Sequence, residues 1–376
     1  MSFPQSSLDA LRLGQWFKLI CGASYQDVAK VRNLALVYSL AGADCIDLSA
    51  DLAIVRAAHQ GITAARAMIS GVLPLVMVSF NDGQDPHFRK AWFDMGDCPV
   101  SCSRPCEIVC PAEAIPPVEC VDTQPSGLGV VAEHCYGCGR CLPICPHDAI
   151  KEKSFQISVG KVLPMLLPEV DAIEIHTQIG RQEEFYSLWR QLTAYIPGLK
   201  LVAVSCPEAQ KTDSVASYFA DLYELMEPKP QQLIWQTDGR SMSGDIGRGT
   251  THTTIHLAQK VLNAGLPGYV QLAGGTNDYT VTKLRSLNLL KHRHSPHHTY
   301  NSPHIHGVAY GSYARKLVDV GNEPLENQPE KLWQKVSIAS ALVSQIKPGV
   351  QQSTGIATFL HEYGCDAGGT PMELPP

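Results

Sequence analysis

The sequence predicts an α/β protein: a (β/α)8 barrel of the TIM type, interrupted by a small cysteine-rich α+β module. Three observations predict it. Eight short apolar runs recur along the chain, and nearly every one is followed by a longer amphipathic stretch. The 376 residues suffice for a barrel of about 250 residues plus a small module. Between the third and fourth apolar runs the composition shifts to Pro, Gly and Cys. An open doubly wound sheet permits the same alternation. The count of eight favours closure.

In chain order, the first fifteen residues read as a loose arm. The first strand falls at Phe17–Ala23. The helix after it spans Asp27–Leu40, where Val28, Val31, Leu34, Ala35 and Tyr38 recur at helical spacing. Strands two and three fall at Cys45–Ser49 and Leu75–Phe80. Beyond the cysteine region, strands fall at Ala172–Thr177, Leu199–Ser205, Gln232–Thr237, Tyr269–Ala273 and Gly307–Tyr310. Helical stretches at Glu183–Tyr195, Ser214–Met226, Thr253–Ala264 and Val281–Leu290 lie between or beyond them. Most strands are short and rich in Val, Ile, Leu or aromatics, as parallel strands covered on both faces are. The barrel then takes residues 16–85 and 156–347, the module 86–155, and residues 365–376 form a flexible tail. Insertion after the third strand puts the module at the C-terminal face, where the βα loops gather.

The module carries the most specific signal. Cys135, Cys138, Cys141 and Cys145 follow C-x2-C-x2-C-x3-C, with Pro146 after the last. Cys98, Cys102, Cys106 and Cys110 repeat the pattern with one extra residue in each of the first two gaps, and Pro111 follows. This spacing fits a [4Fe–4S] cluster, whose irons each need one thiolate. A structural zinc site also uses Cys-x-x-Cys pairs but gives no reason for a third close cysteine. The first run could lie along one helical stripe, yet Pro99 and Pro105 oppose a helix there. After the runs, Pro111-Ala-Glu-Ala-Ile115 parallels Pro146-His-Asp-Ala-Ile150, an internal repeat at an offset of 35 residues. Gly137 and Gly139 let backbone donors approach the sulfurs, one of the levers on reduction potential.

This unit resembles the bacterial two-cluster ferredoxin, in which the fourth cysteine of each run serves the other cluster. The resemblance implies one cluster on Cys98, Cys102, Cys106 and Cys145, and a second on Cys135, Cys138, Cys141 and Cys110. The widened first run departs from the family pattern and leaves a [3Fe–4S] form open for its cluster.

Other candidates are less specific. Gly274 and Gly275 follow strand seven; Gly311, Ser312 and Arg315 follow strand eight. Many barrels hold a phosphate with backbone N–H groups at this position, and Arg315 can add a bidentate contact. The bland alternative is that these glycines only make turns. Residues 238–251, with Gly244, Gly247 and Gly249, read as a mobile loop over the barrel mouth or an anion cradle; no Walker A lysine follows. His292, His294, His297, His298, His304 and His306 cluster on the face opposite the mouth, without paired carboxylates or a helical His-x3-His spacing. Asn81, Asp82, His176, Cys206 and Asp238 end predicted strands at the mouth, but form no recognisable triad or carboxylate pair.

Composition excludes several classes. The net charge of −6 without a basic block argues against nucleic-acid binding. No apolar run reaches membrane-spanning length, and the N-terminus lacks a signal-peptide pattern, so a cytoplasmic location is expected. Thirteen cysteines in such a chain point to metal ligation, with Cys21, Cys45, Cys120, Cys206 and Cys365 as bystander thiols.

Taken as a whole, the chain resembles the cyanobacterial light-dependent period protein (LdpA) family. The likeness lies in residues 16–24, residues 43–49, the two cysteine runs and the long C-terminal region. It implies an iron–sulfur protein that relays photosynthetic redox state into circadian clock input. The partners it implies are clock-input kinases and clock oscillator proteins, with an electron donor or quinone-linked signal upstream. The alternative is an oxidoreductase passing electrons through two clusters to a flavin such as FMN, or a phosphate-bearing ligand, at the barrel mouth. Two cluster motifs without a catalytic constellation favour the sensor over an enzyme.

Overall fold

A computed structural model describes residues 6–22, 27–83, 89–110, 112–117, 129–132, 134, 135, 137, 139–154, 159–207, 214–239, 251–291 and 303–347. The barrel strands are β1 (Trp16–Gly22), β2 (Cys45–Ser49), β3 (Leu75–Asn81), β6 (Ala172–His176), β7 (Leu201–Pro207), β8 (Leu233–Asp238), β9 (Tyr269–Ala273) and β10 (Gly307–Tyr310). They pair in parallel in the order β1-β10-β9-β8-β7-β6-β3-β2, and β2 returns to β1. The sheet is therefore closed, and the open alternative is overturned. Strands β4 (Arg89–Trp92) and β5 (Lys151–Ser154) pair antiparallel, with Trp92 opposite Lys151, and bring the two ends of the inserted segment together.

Two-residue alternation along the strands sorts the core. Outward residues such as Phe17, Leu19, Val76, Val78, Ile173 and Ile175 pack beneath the surrounding helices in the main core. Helices α2 (Val28–Leu40) and α3 (Leu52–Met68) cross closely, because a Cβ at Gly61 would collide with the Arg32 carbonyl of α2. Inward residues divide the lumen. At the strand beginnings, Trp16, Cys45, Leu75, Ala172, Leu201 and Ile234 form an apolar floor. Nearer the strand ends, the lumen is polar.

The loose N-terminal arm expected from sequence is a correction. Residues Ser7–Arg12 form helix α1, and its fully buried Leu11 joins the apolar floor. Ser6 caps the helix by accepting from the Asp9 N–H at 3.2 Å. Ser7 anchors it by donating to the Leu73 carbonyl at 3.0 Å. The helix plugs the end of the barrel opposite the mouth. Leu11→Ala is expected to cost about 2–5 kcal/mol, as for other buried leucines. A urea midpoint equal to that of the wild type would show that the plug contributes nothing.

Among the described residues, no helix is long and apolar enough to cross a membrane.

Candidate iron-sulfur centre and barrel mouth

The inserted segment folds as two copies of one short pattern. Helices α4 (Pro105–Val109) and α5 (Cys141–Ile144) pack together, and the residues after them, Cys110 and Cys145, are their C-caps. The 35-residue offset recurs in the backbone. Arg104 (φ 49) corresponds to Gly139 (φ 72), and Glu113 (φ 49) to Asp148 (φ 49). Ile115 and Ile150, at the same offset, are both buried in the module's own small core. At Arg104 a left-handed backbone that favours glycine is held instead by the side chain, which reaches Glu107 and the Pro116 carbonyl.

The cysteines converge in two sets. Cys110, from the first run, lines one cavity with Cys135 and Cys141 of the second, beside Ala114, Ile115 and Gly139. Cys145, from the second run, stands close enough to Cys98 and Cys106 to raise both thiols electrostatically, although burial is the larger cause at each. Cys138 lies outside the described residues. None of the described cysteines is joined in a disulfide.

The donors around the sulfurs suit thiolates. Ala114 N–H donates to Cys110 Sγ at 3.2 Å, and Arg104 N–H to Cys102 Sγ at 3.4 Å. Burial pushes the Cys145 thiol up, but the backbone N–H groups of Ile150, His147 and Ala149 outweigh it and hold the thiol below its ordinary value. Gly137 and Gly139 have positive φ, the conformation in which a glycine is preferred. An iron–sulfur cluster is held by cysteine thiolates and tuned by hydrogen bonds to their sulfurs. The residues present, cysteines of two runs brought together with N–H donors aimed at their sulfurs, fit an iron–sulfur centre.

The module rests on the first βα connections. Arg140, between Gly139 and Cys141, pairs with Asp27, which caps α2 by accepting from the Ala29 N–H. Asp51, the cap of α3, feels both Lys90 and His134 of the module, although burial and its own backbone bonds act on it more strongly.

Beneath lies the polar lumen. Lys18 is fully buried and directs its ammonium at Glu174 Oε2, Asp47 Oδ2 (3.2 Å) and Met77 Sδ (3.8 Å), which uses all three protons. Burial alone would lower Lys18, but Asp47 and Glu174 outweigh it and keep the amine charged. Burial alone would raise Glu174; Lys18 and His176 hold it down at about 2. Gln236 donates to Glu174 Oε1 at 2.7 Å, and Gln271 Nε2 donates in turn to Gln236 Oε1. Ser205 accepts from Gln236 and donates to Asp238 at 2.8 Å. Ser79 donates to Asp47 at 2.7 Å.

Of the mouth residues expected from sequence, His176 and Asp238 belong to this network. Asn81 pairs in register with His176. Asp82 faces Arg181 at 3.4 Å, and burial pushes its carboxyl up to about 6. Cys206 instead points to the outer core. Lys18, Asp47, Glu174, Gln236 and Gln271 were missed. Their signal is a lone polar residue between apolar neighbours within a strand, as in Phe17-Lys18-Leu19 and Ile173-Glu174-Ile175.

Gly274, Gly275, Gly311 and Ser312 lie at the ends of neighbouring strands β9 and β10. Arg315 turns back to the Ile20 carbonyl at 2.7 Å and to Ser312 Oγ at 3.2 Å, so part of its donor set closes the barrel. Residues 240–250 of the predicted mouth loop lie outside the described residues, as do His292, His294, His297, His298, Cys120, Cys365 and the tail. His306 is a half-buried acceptor, its Nδ1 taking the Val270 N–H at 3.1 Å. Burial lowers its basicity to about 3, which keeps it neutral.

Fold and site together define a class: a (β/α)8 barrel protein bearing an iron–sulfur-binding module at its mouth. Residues 98–156 match the LdpA Fe-S cluster-binding domain, and residues 165–345 the Light dependent period A C-terminal domain. Light dependent period A of Synechococcus elongatus is 47% identical over 368 residues, covering 96% of this chain and 98% of that protein. The chain belongs to the Light dependent period A family, as its resemblance implied. Similar solved structures include a truncated 3-deoxy-D-arabino-heptulosonate 7-phosphate synthase from Thermotoga maritima (10% identity, 88% of each chain, TM-score 0.38). Tryptophan synthase alpha chain from Legionella pneumophila is another (10% identity, 92% of this chain and 97% of that one, TM-score 0.40).

Proposed function

We propose that this protein is an iron–sulfur redox sensor with two clusters in crossed ligation, one on Cys98, Cys102, Cys106 and Cys145, the other on Cys135, Cys138, Cys141 and Cys110. The observation that carries the reading is the exchange of the two terminal cysteines. Cys110 shares a cavity with Cys135 and Cys141, while Cys145 stands by Cys98 and Cys106. The paired helices and repeated backbone turns support a ferredoxin-like pseudo-symmetry.

When bound, the clusters accept and release single electrons. The chain supplies the rest. N–H donors at Cys102, Cys110 and Cys145 favour sulfur that carries negative charge. Arg140 beside Cys141 links any change of charge there to Asp27 at the start of α2. That pair offers a two-position contact through which redox state biases the barrel loops. On family grounds the signal is photosynthetic electron flow, its source a donor or quinone pool, and the readers are clock-input kinases and oscillator proteins.

The test is anaerobic purification with iron and sulfide analysis. About eight irons and eight acid-labile sulfides per chain are expected, or about seven irons if the first site holds a three-iron form. Colourless protein without sulfide would overturn the reading. The polar upper lumen favours a second reading, an oxidoreductase with FMN or a phosphate-bearing ligand at the mouth. Flavin released on acid denaturation of cluster-loaded protein would favour that reading; its absence favours the sensor.

A further inference from the structure

We propose that the outer cysteine set, Cys98, Cys102, Cys106 and Cys145, is an electron port with an apolar, acid-flanked surface that docks a redox protein bearing a basic rim. This rests on the cluster reading above. The two sets are not equivalent. Cys135 and Cys141 are buried, and the Arg140–Asp27 pair turns their side of the module to the barrel. Cys98, Cys102 and Cys145 are only partly covered.

Three large apolar side chains stand in solvent around this outer set. Val100 is fully exposed, Ile108 is 86% exposed and Ile144 42%. Val100 lies between Cys98 and Cys102, Ile108 two residues after Cys106, and Ile144 directly before Cys145. Single exposed aliphatics are ordinary on a protein surface. Three on one small module, each within two residues of the same cysteine set and two of them on helices that pack together, ask for a partner. Ile108 and Ile144 lie on α4 and α5, which pack together.

Charge selects the partner. Between Asp94 and Pro117 the acids are Asp94, Asp97, Glu107 and Glu113, and the one base, Arg104, is buried and paired with Glu107. Asp94, Asp97 and Glu113 are exposed. An acidic rim steers a basic partner through long-range attraction, while the aliphatic patch excludes water where the two redox groups approach. Small, transient, charge-steered contacts are the usual form of such encounters. In the step itself one electron leaves the reduced chain and reduces the partner's one-electron acceptor; in the haem probe of the test this is a ferric iron that becomes ferrous. No covalent bond is made or broken, and no proton is transferred.

The test uses the full chain, loaded with clusters, reduced with dithionite and freed of excess reductant. It is mixed in stopped flow with ferricytochrome c, a basic haem protein. The wild-type rate is expected to fall several-fold as salt rises from about 0.05 to 0.5 M, because screening shortens the reach of the acidic rim. Val100→Ser with Ile108→Ser is expected to slow it about tenfold at low salt while leaving the iron and sulfide content unchanged. Asp97→Lys, which keeps the apolar patch, is expected to slow it and flatten the salt dependence. The same variants should react at the wild-type rate with p-benzoquinone, a small uncharged oxidant. Cytochrome rates indifferent to both variants, or to salt, would overturn the port. Equal slowing with the quinone would assign the patch to a small molecule and overturn the protein partner. Wild-type chain without iron would instead sink the cluster reading, and the port with it.

Discussion

Cys145→Ser is expected to destroy the centre held by Cys98, Cys102 and Cys106 and to spare the one held by Cys135 and Cys141. Mössbauer and electron paramagnetic resonance spectra of anaerobic protein would follow it, with about half of the iron expected to be lost. The physical reason is positional. A cysteine four residues after Cys141 would naively serve the cluster of its own run. Instead α5 carries Cys145 away from Cys141, and the Cys145 thiol acts on Cys98 and Cys106. Cys110→Ser is the mirror experiment and should damage the other centre, because Cys110 lines the cavity of Cys135 and Cys141. If each serine instead removes the cluster of its own run, ligation is uncrossed. The apolar wall of that cavity, Ala114, Ile115 and Val130, also limits water, so an incompletely ligated centre there should survive air longer than the outer one.

The barrel was legible because its strands obey a simple physical pattern. A parallel strand covered on both faces reads as a short apolar run, and each of the eight runs became a strand within two residues of its expected bounds at either end. The N-terminal plug was not legible. Helix α1 has six residues, and Leu8 and Leu11 are too few to establish a period, although Ser6 and Asp9 have the spacing of a helix cap. Helix α3 also escaped, since Gly61 sits in its middle for a packing reason that only the neighbouring helix explains. The pair β4 and β5 escaped because Lys151-Glu-Lys-Ser154 is polar and mostly exposed. In the module, spacing revealed the ligand candidates, while their grouping into two sets depends on how α4 and α5 pack. The lumen network was hidden for a different reason. A lone lysine or glutamate in a strand looks like solvent-facing alternation until the sheet closes and the same alternation points it inward.

Lys18→Met is expected to be the most destabilising single change in the barrel, at about 3–5 kcal/mol, because it leaves two buried carboxylates without their cation. Glu174 and Asp47 are both sealed from water, and the hydrogen bonds to Gln236 and Ser79 cannot replace a full charge. The sign of the pH dependence follows. In the wild type, the depressed Glu174 carboxyl contributes stability that is present above its unfolded value of 4.5 and is lost as pH falls towards about 2. Lys18 is the largest cause opposing the effect of burial, so its removal lets both carboxyls rise and take up protons. The variant should therefore sit furthest below the wild type near pH 8, and the gap should narrow towards pH 5. Urea midpoints at the two pH values measure it, and a gap that is constant and under about 1 kcal/mol would show that the ion network is solvated and energetically idle. Adding Glu174→Gln to Lys18→Met should recover part of the loss at pH 8, since a neutral amide still accepts from Gln236 without an unpaired charge. Iron content should be unchanged in both variants, because the network lies in the lumen and the cysteines lie in the inserted module. A barrel mutation that emptied the cysteine sites would instead mean that the module folds only on an intact barrel.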